Sequence, residues 1–289
     1  MKDASGTVID GRYTLIARLG GGGAGTVYRA TNAEGRSVAV KLLDVVVGTR
    51  AEMRERFERE ARALNGLDHP HLIRILDYGV FEGTPYTVME LLTGLPLDQM
   101  MKKKPLPLPV AFEIGMGVIA GLSHAHTHGV LHRDLKPANV FVAVLEGAKL
   151  HPKLLDFGLA RFTDSDRWGA HATLTTEGTV LGTPAYMPPE QGIGSRVDAR
   201  SDVYAAGVLL YELLAGRPPF VHESRASMIR AHVVTPAPPL AEAREGLQVQ
   251  PSLEAIVMRA LSKKADDRFP DARALLEALQ RVPEPAAWI

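Results

Sequence analysis

Apolar and polar residues alternate from Tyr13 through Leu15 and Ala17 up to a run of glycines at 20–25. A period of two predicts a strand, because successive side chains of extended backbone face opposite sides. Residues 26–30 and 37–42 read as two further strands. The turn between them, Asn32-Ala33-Glu34-Gly35, has the residue types a hairpin requires. The period then changes. Met53, Phe57, Ala61 and Leu64 recur at helical spacing and predict a helix over 51–64, which Asp68-His69-Pro70 closes. Two more strands follow near 73–78 and 86–90, with Glu82-Gly83 turning between them.

Beyond Gly94 the pattern is helical. Pro105, Pro107 and Pro109 punctuate a loop, helices dominate from Val110 onward, and one loop and a small hairpin interrupt them. Residues 203–214 are apolar on most faces, as a core helix would be. No repeat of solenoid length is present. This order predicts an α+β chain: a small β-rich lobe over 13–90, a hinge at 91–94, a larger and mostly helical lobe over 95–282, and a tail at 283–289. A length of 289 residues suits one large domain or two lobes.

Composition narrows the classes. Hydrophobic residues make up 46% and charged residues 23%, as in globular proteins. Acidic and basic residues number 33 each, which gives no reason to expect nucleic acid as a partner. There is no cysteine, so disulfides, thiolate zinc sites and cysteine nucleophiles are excluded, and a reducing cytoplasmic setting is expected. No apolar run reads as a membrane segment, and the first ten residues lack a secretory pattern.

The chemistry concentrates in two places. Positions 132–139 read His-Arg-Asp-Leu-Lys-Pro-Ala-Asn, and Asp156-Phe157-Gly158 begins 17 residues after Asn139. Earlier, Gly20, Gly22 and Gly25 form a G-x-G-x-x-G pattern followed by Val27, and Val38-Ala39-Val40-Lys41 ends an apolar strand with a lysine. Glycines of this kind let backbone approach a phosphate closely. Dinucleotide-binding folds share the pattern but continue into a helix, whereas here a strand follows. Glu60 lies on the face of its helix marked by Phe57 and Leu64, where an unpaired carboxylate would be costly. Glu55 and Glu58 read as solvent-side charges.

Together these motifs closely resemble eukaryotic-type (Hanks-type) Ser/Thr protein kinases, in a style most similar to bacterial members, over about 13–279. The resemblance implies a bilobal fold and transfer of the γ-phosphoryl group of ATP to a protein Ser or Thr hydroxyl, with Mg2+, or Mn2+ in its place. It implies that Asp134 is the base orienting the hydroxyl and that Lys136 neutralises the γ-phosphate. It gives Asn139 and Asp156 as oxygen ligands of the metal. Leu19, Gly20, Gly22, Gly25, Val27 and Ala39 would line the nucleotide, with Lys41 on its phosphates and Glu60 holding Lys41. Met89 would be the gatekeeper, and backbone at Glu90 and Leu92 would meet the adenine. Thr183 resembles the threonine that contacts the base and its lysine.

Residues 162–180 are polar and carry Thr173, Thr175, Thr176 and Thr179. A phosphate could order such a segment by pairing with a basic residue, and Arg133 is the natural acceptor. Thr175 or Thr176 is expected to be autophosphorylated, with a homodimer as the assembly that would do it. Met187-Pro188-Pro189-Glu190 stands where the family has Ala-Pro-Glu, and Pro188 is a departure. Glu190 is expected to pair with Arg268, and Asp202 to support the catalytic loop. His124, His126 and His128 tempt a metal reading, but no carboxylate completes a site, and they read as ordinary helix residues. The family often carries a membrane helix and sensor after the catalytic domain; neither stands within these 289 residues. A pseudokinase would lack Lys41, Asp134 or Asp156, and a small-molecule kinase would lack the platform at 182–190.

Overall fold

The computed structural model describes residues 3–22, 25–44, 51–102, 105–145, 147, 149–157 and 184–283, without the side chains of 51–54, 56 and 60. The chain divides into two compact units, with the boundary between Thr93 and Gly94.

The first unit is built on a six-stranded sheet. Its strands are β1 (Val8–Ile9), β2 (Tyr13–Gly22), β3 (Gly25–Asn32), β4 (Ser37–Leu43), β5 (Ile75–Phe81) and β6 (Thr84–Glu90), in the order β1-β2-β3-β4-β6-β5. Every pairing is antiparallel. The even residues Tyr28, Ala30, Val38, Val40, Leu42, Tyr86 and Val88 join Ile9 and Leu15 in one core. The hairpin turn forms as expected: Asn32 Oδ1 accepts from Glu34 and Arg36 amides, and Gly35 takes φ 80°. Glu82 (φ 49°) and Gly83 (φ 79°) make the tight β5–β6 turn. Helix α1 (Ala51–Asn65) packs on β5 and buries Phe57, Ala61 and Leu64. Arg12, Tyr13, Asp10, Asp77 and Tyr86 form a side-chain network that pins the chain's start to β5 and β6.

Two sequence expectations shift here. Strand β2 continues through Gly20 and Gly22, which pair with Val27 and Gly25, so the glycines are largely strand rather than loop. The register shifts after Leu15 and again after Arg18, as bulges do. Strand β5 starts at Ile75 rather than 73.

The second unit opens with β7 (Gly94–Pro96) and α2 (Leu97–Met101), then α3 (Leu108–Thr127). Strands β8 (Val140–Val144) and β9 (Leu150–Leu154) form a sheet in the order β7-β8-β9. Then follow α4 (Pro189–Gly192), α5 (Ala199–Ala215), α6 (Arg225–Val234), α7 (Leu240–Ala243), α8 (Pro251–Ala260) and α9 (Ala272–Leu279). Helix α5 is the core expected from its sequence. Asp198 and Ser201 close a capping box at its start, Gly216 ends it at φ 79°, and nearly every residue between is buried. Helices α3, α8 and α9 pack against it. Helix α3 begins at Leu108, with Pro109 inside its first turn, where a missing N–H costs little.

Helix α3 also corrects the expectation of no membrane-length segment. An 18-residue stretch of this 20-residue helix has a mean hydropathy of 1.4, which by length and composition alone would suffice to cross a bilayer. Packing explains that composition: Ala111, Ile114, Val118, Ile119, Leu122 and Ala125 are buried among α5, α9 and β9.

Candidate active site

In the first unit, strand register places the residues expected on the nucleotide side. Val27 pairs with Lys41, Ala39 with Met89, and Lys41 with Thr87. Because the even residues of these strands face the core, Val27, Ala39, Lys41 and Met89 share the opposite face. Lys41 is only 5% exposed, so its charge is placed in a sheltered position on that face. Leu19 falls at the second bulge of β2 and is exposed. Gly25 sits at φ 141°, and a Cβ there would lie 2.2 Å from Leu42 O, so the strand approach itself requires glycine. Glycines 20 and 22 have open space around them. Glu60 lies on α1, with its side chain outside the described residues. Glu55 is exposed and Glu58 half-buried. Met89 is buried, while Glu90 Oε1 accepts from Arg74 N at 2.9 Å. Leu92 follows β6, half-buried and outside any strand.

In the second unit, a loop holds the residues expected to carry the chemistry, and buried polar groups hold the loop. Asp134 Oδ2 accepts from Lys136 Nζ at 2.7 Å and from Asn139 Nδ2 at 2.9 Å. Asn139 Nδ2 also donates to Asp134 O at 2.7 Å. Asp134 Oδ1 takes no hydrogen bond from the described residues, and the side chain is 44% exposed. Arg133 adopts φ 63° and Asp156 φ 53°, left-handed conformations that cost a non-glycine residue about 1–2 kcal/mol each. Something must hold them there.

For Arg133 the holder is Asp202, in the first turn of α5. Its Oδ1 accepts from Arg133 N and its Oδ2 from His132 N, both at 2.7 Å. His126 Nε2 lies 3.0 Å from the same Oδ2. Burial pushes the Asp202 carboxyl up, but donation from His126, His132 and Arg133 outweighs it and holds the group below the usual carboxylate range. His132 is fully buried. It accepts from Asp134 N at Nδ1, donates from Nε2 to Leu155 O at 2.9 Å, and packs on Phe157 with ring centroids 4.7 Å apart. Burial lowers its pKa and favours the neutral ring. Leu155 N in turn bonds Asn139 O at 2.8 Å, so the loop and the segment before Asp156 are tied together.

The platform after residue 184 is anchored just as expected. Arg268, 2% exposed, donates to both oxygens of Glu190 at 2.9 Å and to the carbonyls of Arg200, Ser262 and Lys263. Burial raises the Glu190 carboxyl, yet the Arg268 and Ser201 donors hold it below its ordinary value. Pro188 is extended (φ −68°, ψ 149°) and caps α4, its carbonyl accepting from Gln191 and Gly192 amides. The departure at Pro188 therefore leaves the local path intact. A cavity of about 60 Å³ lies beside Asp134, lined by Tyr186, Met187, Pro188 and Gln191 among others.

His124 and His128 do stack, with centroids 4.4 Å apart, and no metal-binding cluster of His, Asp and Glu exists among the described residues. His126 is the exception that sequence reasoning missed: one of the three histidines contacts Asp202. The only sequence signal was its position eight residues before Asp134. Gly158, Thr173, Thr175, Thr176, Thr179 and Thr183 lie outside the described residues.

The chain belongs to the protein kinase family: the protein kinase domain model matches residues 13–279. Bacterial serine/threonine-protein kinases are among its relatives. It is 40% identical to the serine/threonine-protein kinase Pkn1 of Myxococcus xanthus over 93% of this chain and 38% of that protein. It is also 40% identical to the DNA damage-responsive serine/threonine-protein kinase RqkA of Deinococcus radiodurans, over 98% of this chain and 41% of the relative. The chain spans about a third to a half of the length of the curated relatives it matches. The crystal structure of the Mycobacterium tuberculosis PknI kinase domain matches with a TM-score of 0.73 and 29% identity, over 96% of this chain and 98% of that one. The fold is therefore that of a protein kinase domain.

Proposed function

We propose that this chain is an active Ser/Thr protein kinase that moves the γ-phosphoryl group of ATP to a protein hydroxyl. The observation that carries this reading is the state of Asp134. Two donors occupy its Oδ2, while Oδ1 takes none from the described residues. A carboxylate fixed in this way has one oxygen ready to accept the proton of a substrate hydroxyl and to orient that oxygen for attack. Lys136, already 2.7 Å from Asp134, brings a cation to the same point and would offset charge on the phosphoryl group in flight. By the family resemblance, Lys41 would hold the phosphates.

The oxygen donors fit a hard divalent cation. Asn139 commits its Nδ2 to Asp134, which leaves Oδ1 as its metal-ligand atom, and Asp156 supplies a carboxylate. One carboxylate and one amide oxygen are few for an all-protein cage but suit Mg2+, which takes its remaining ligands from phosphate and water. When bound, the metal would neutralise charge on the phosphates. Turnover of about 1–100 per second is typical of this chemistry.

Asp134→Asn should abolish label transfer from ATP to a generic protein while leaving nucleotide binding nearly intact. Full residual transfer would refute the assignment, and transfer to small alcohols alone would favour a small-molecule kinase. Autophosphorylation at Thr175 or Thr176, with Arg133 as the partner of the phosphate, is part of the same proposal. Phosphopeptide mapping after incubation with ATP tests it, and unchanged activity with all four threonines as alanine would remove it.

A further inference from the structure

His232 is buried on α6, where that helix packs against the short turn Pro184–Tyr186. Its ring is held in one orientation. Phe220 and Tyr204 meet it edge-on, with centroids 5.0 and 5.7 Å away, and the Tyr204 hydroxyl lies 2.9 Å from Nδ1. Lys263 sets the direction of that bond. Burial lowers its pKa to about 8, so at neutral pH it is a cation and can only donate. It donates to Tyr204 OH at 3.4 Å and to the carbonyls of Ala231 and His232. The buried phenol therefore places its own proton on His232 Nδ1, the one acceptor it meets among the described residues. With Nδ1 accepting, the ring proton is on Nε2. No described residue hydrogen-bonds Nε2, so a buried donor is left over.

A matching acceptor faces the ring. Of the groups around it, only the backbone of Ala185 favours the protonated form, as a carbonyl does. A carbonyl on a helical path normally takes the amide three or four residues further on. Here those residues are Pro188 and Pro189, which have no N–H. The Ala185 carbonyl is thus left to be satisfied from outside its own segment, and a small shift of the turn toward α6 joins it to Nε2. The next two residues, Tyr186 and Met187, wall the cavity beside Asp134. We propose that His232 is a positioning residue for the protein substrate: its Nε2–H bonds the Ala185 carbonyl, latches the turn to α6 and so sets the cavity wall that Tyr186 and Met187 present beside Asp134. The role rests on the kinase reading above. His232 touches no substrate and acts only through the turn.

Two substitutions separate this role from simple core packing. The amide oxygen of Asn reaches about where Nδ1 stands; it keeps the Tyr204 bond and abandons Ala185. The amide nitrogen of Gln reaches about where Nε2 stands and can still donate to Ala185. His232→Asn should raise the KM for a protein substrate about fivefold or more, with kcat and the KM for ATP within about twofold of the parent. His232→Gln should stay within about twofold of the parent in all three. The Met187 amide bonds Pro184 O at 3.2 Å across the turn. Its exchange should be about tenfold faster in His232→Asn than in His232→Gln. In an active chain, an equal KM for the protein or equal exchange in the two variants would overturn the proposal, as would a raised KM in a folded His232→Gln. Should either variant fail to fold, a crystal structure of the parent chain decides: Ala185 O within about 3.2 Å of Nε2 supports the latch, and a ring bonded elsewhere through Nε2, or not bonded there at all, ends it. Exchange reads the turn without turnover, so a chain that phosphorylates no protein yet shows the exchange difference would sink the kinase reading and leave the latch standing.

Discussion

The two units hold their functional side chains by different physics. In the first, Lys41 is placed by register: β4 pairs with β3 and β6 over its length, and the apolar residues on either side of Lys41 face a core. In the second, Asp134 lies on a loop with no ladder to hold it, and buried charged and polar groups do the holding: Asp202, His132, and the Arg268–Glu190 pair beneath the platform. Strand register spreads its stabilisation over many contacts, each of them small. A loop pinned by a few buried polar groups concentrates it, because removing one partner leaves another buried and unsatisfied. Single substitutions should therefore be more damaging in the second unit.

The largest effect tests that claim. Glu190→Ala leaves the Arg268 guanidinium, 2% exposed, without its carboxylate. Stripping one partner from a buried pair costs about 3–5 kcal/mol. Urea unfolding followed by circular dichroism should show a loss of that order. A loss within the range of surface pairs, below about 1 kcal/mol, would remove the distinction between the units.

The next sharpens it through pH. His232 on α6 is 1% exposed, bonds Tyr204 OH at 2.9 Å through Nδ1, and lies near Lys263. Burial, with Lys263 adding to it, lowers its pKa from 6.5 to about 4. A depressed value means the unfolded chain binds the proton first. The stabilisation is thus complete above about pH 6.5 and drains away as pH falls toward 4. At ~1.4 kcal/mol per unit the loss by pH 4 is on the order of 3 kcal/mol. His232→Asn, which can keep the Tyr204 bond, should flatten that part of the stability profile. A profile of unchanged slope would show that His232 is not the group that titrates.

A third effect belongs to the first unit and is steric. Gly25→Ala puts a Cβ 2.2 Å from Leu42 O, at a φ of 141° that other residues avoid. Either the strand gives way or the β2–β3 hairpin shifts, at a cost of about 1–3 kcal/mol. Raised KM for ATP with little change in transfer by saturated enzyme is the expected signature. The control is Gly22→Ala, where a Cβ meets nothing within 4 Å, and which should be nearly silent by the same measure.

The difference between the units also explains what the sequence revealed. Period-two and period-3.6 patterns depend on near neighbours, so β3, β4, α1 and α5 were legible, and Lys41 with them. Strand β2 ran further than the pattern indicated because glycines carry no side chain to alternate, while their backbone still pairs. Helix α3 was read two residues short because Pro109 falls in its first turn, where the helix needs no N–H from it. Asp134, Lys136 and Asn139 were legible as a motif, and their mutual bonds were not. His126 was set aside because its two partners, Asp202 and Ala272, are 76 and 146 residues away in sequence. Contacts across such separations follow from the fold as a whole and leave no local trace.

Pro188 carries the smallest prediction and the closest comparison. In the second unit, where single polar groups matter most, it is a departure from the family's Ala-Pro-Glu that removes a backbone donor. Yet its φ of −68° is one that proline adopts without strain, and its carbonyl caps α4 in the ordinary way. A proline already at its preferred angle stabilises chiefly by restricting the unfolded chain, by about 0.4–1 kcal/mol. Pro188→Ala should therefore lose about that much stability and leave kcat unchanged, because the Arg268–Glu190 bonds two residues on do not depend on it. A larger loss, or a change in kcat, would mean that Pro188 shapes the platform beside Asp134 directly, through the cavity wall it shares with Met187 and Gln191. The pins would then include an apolar ring as well as buried charge.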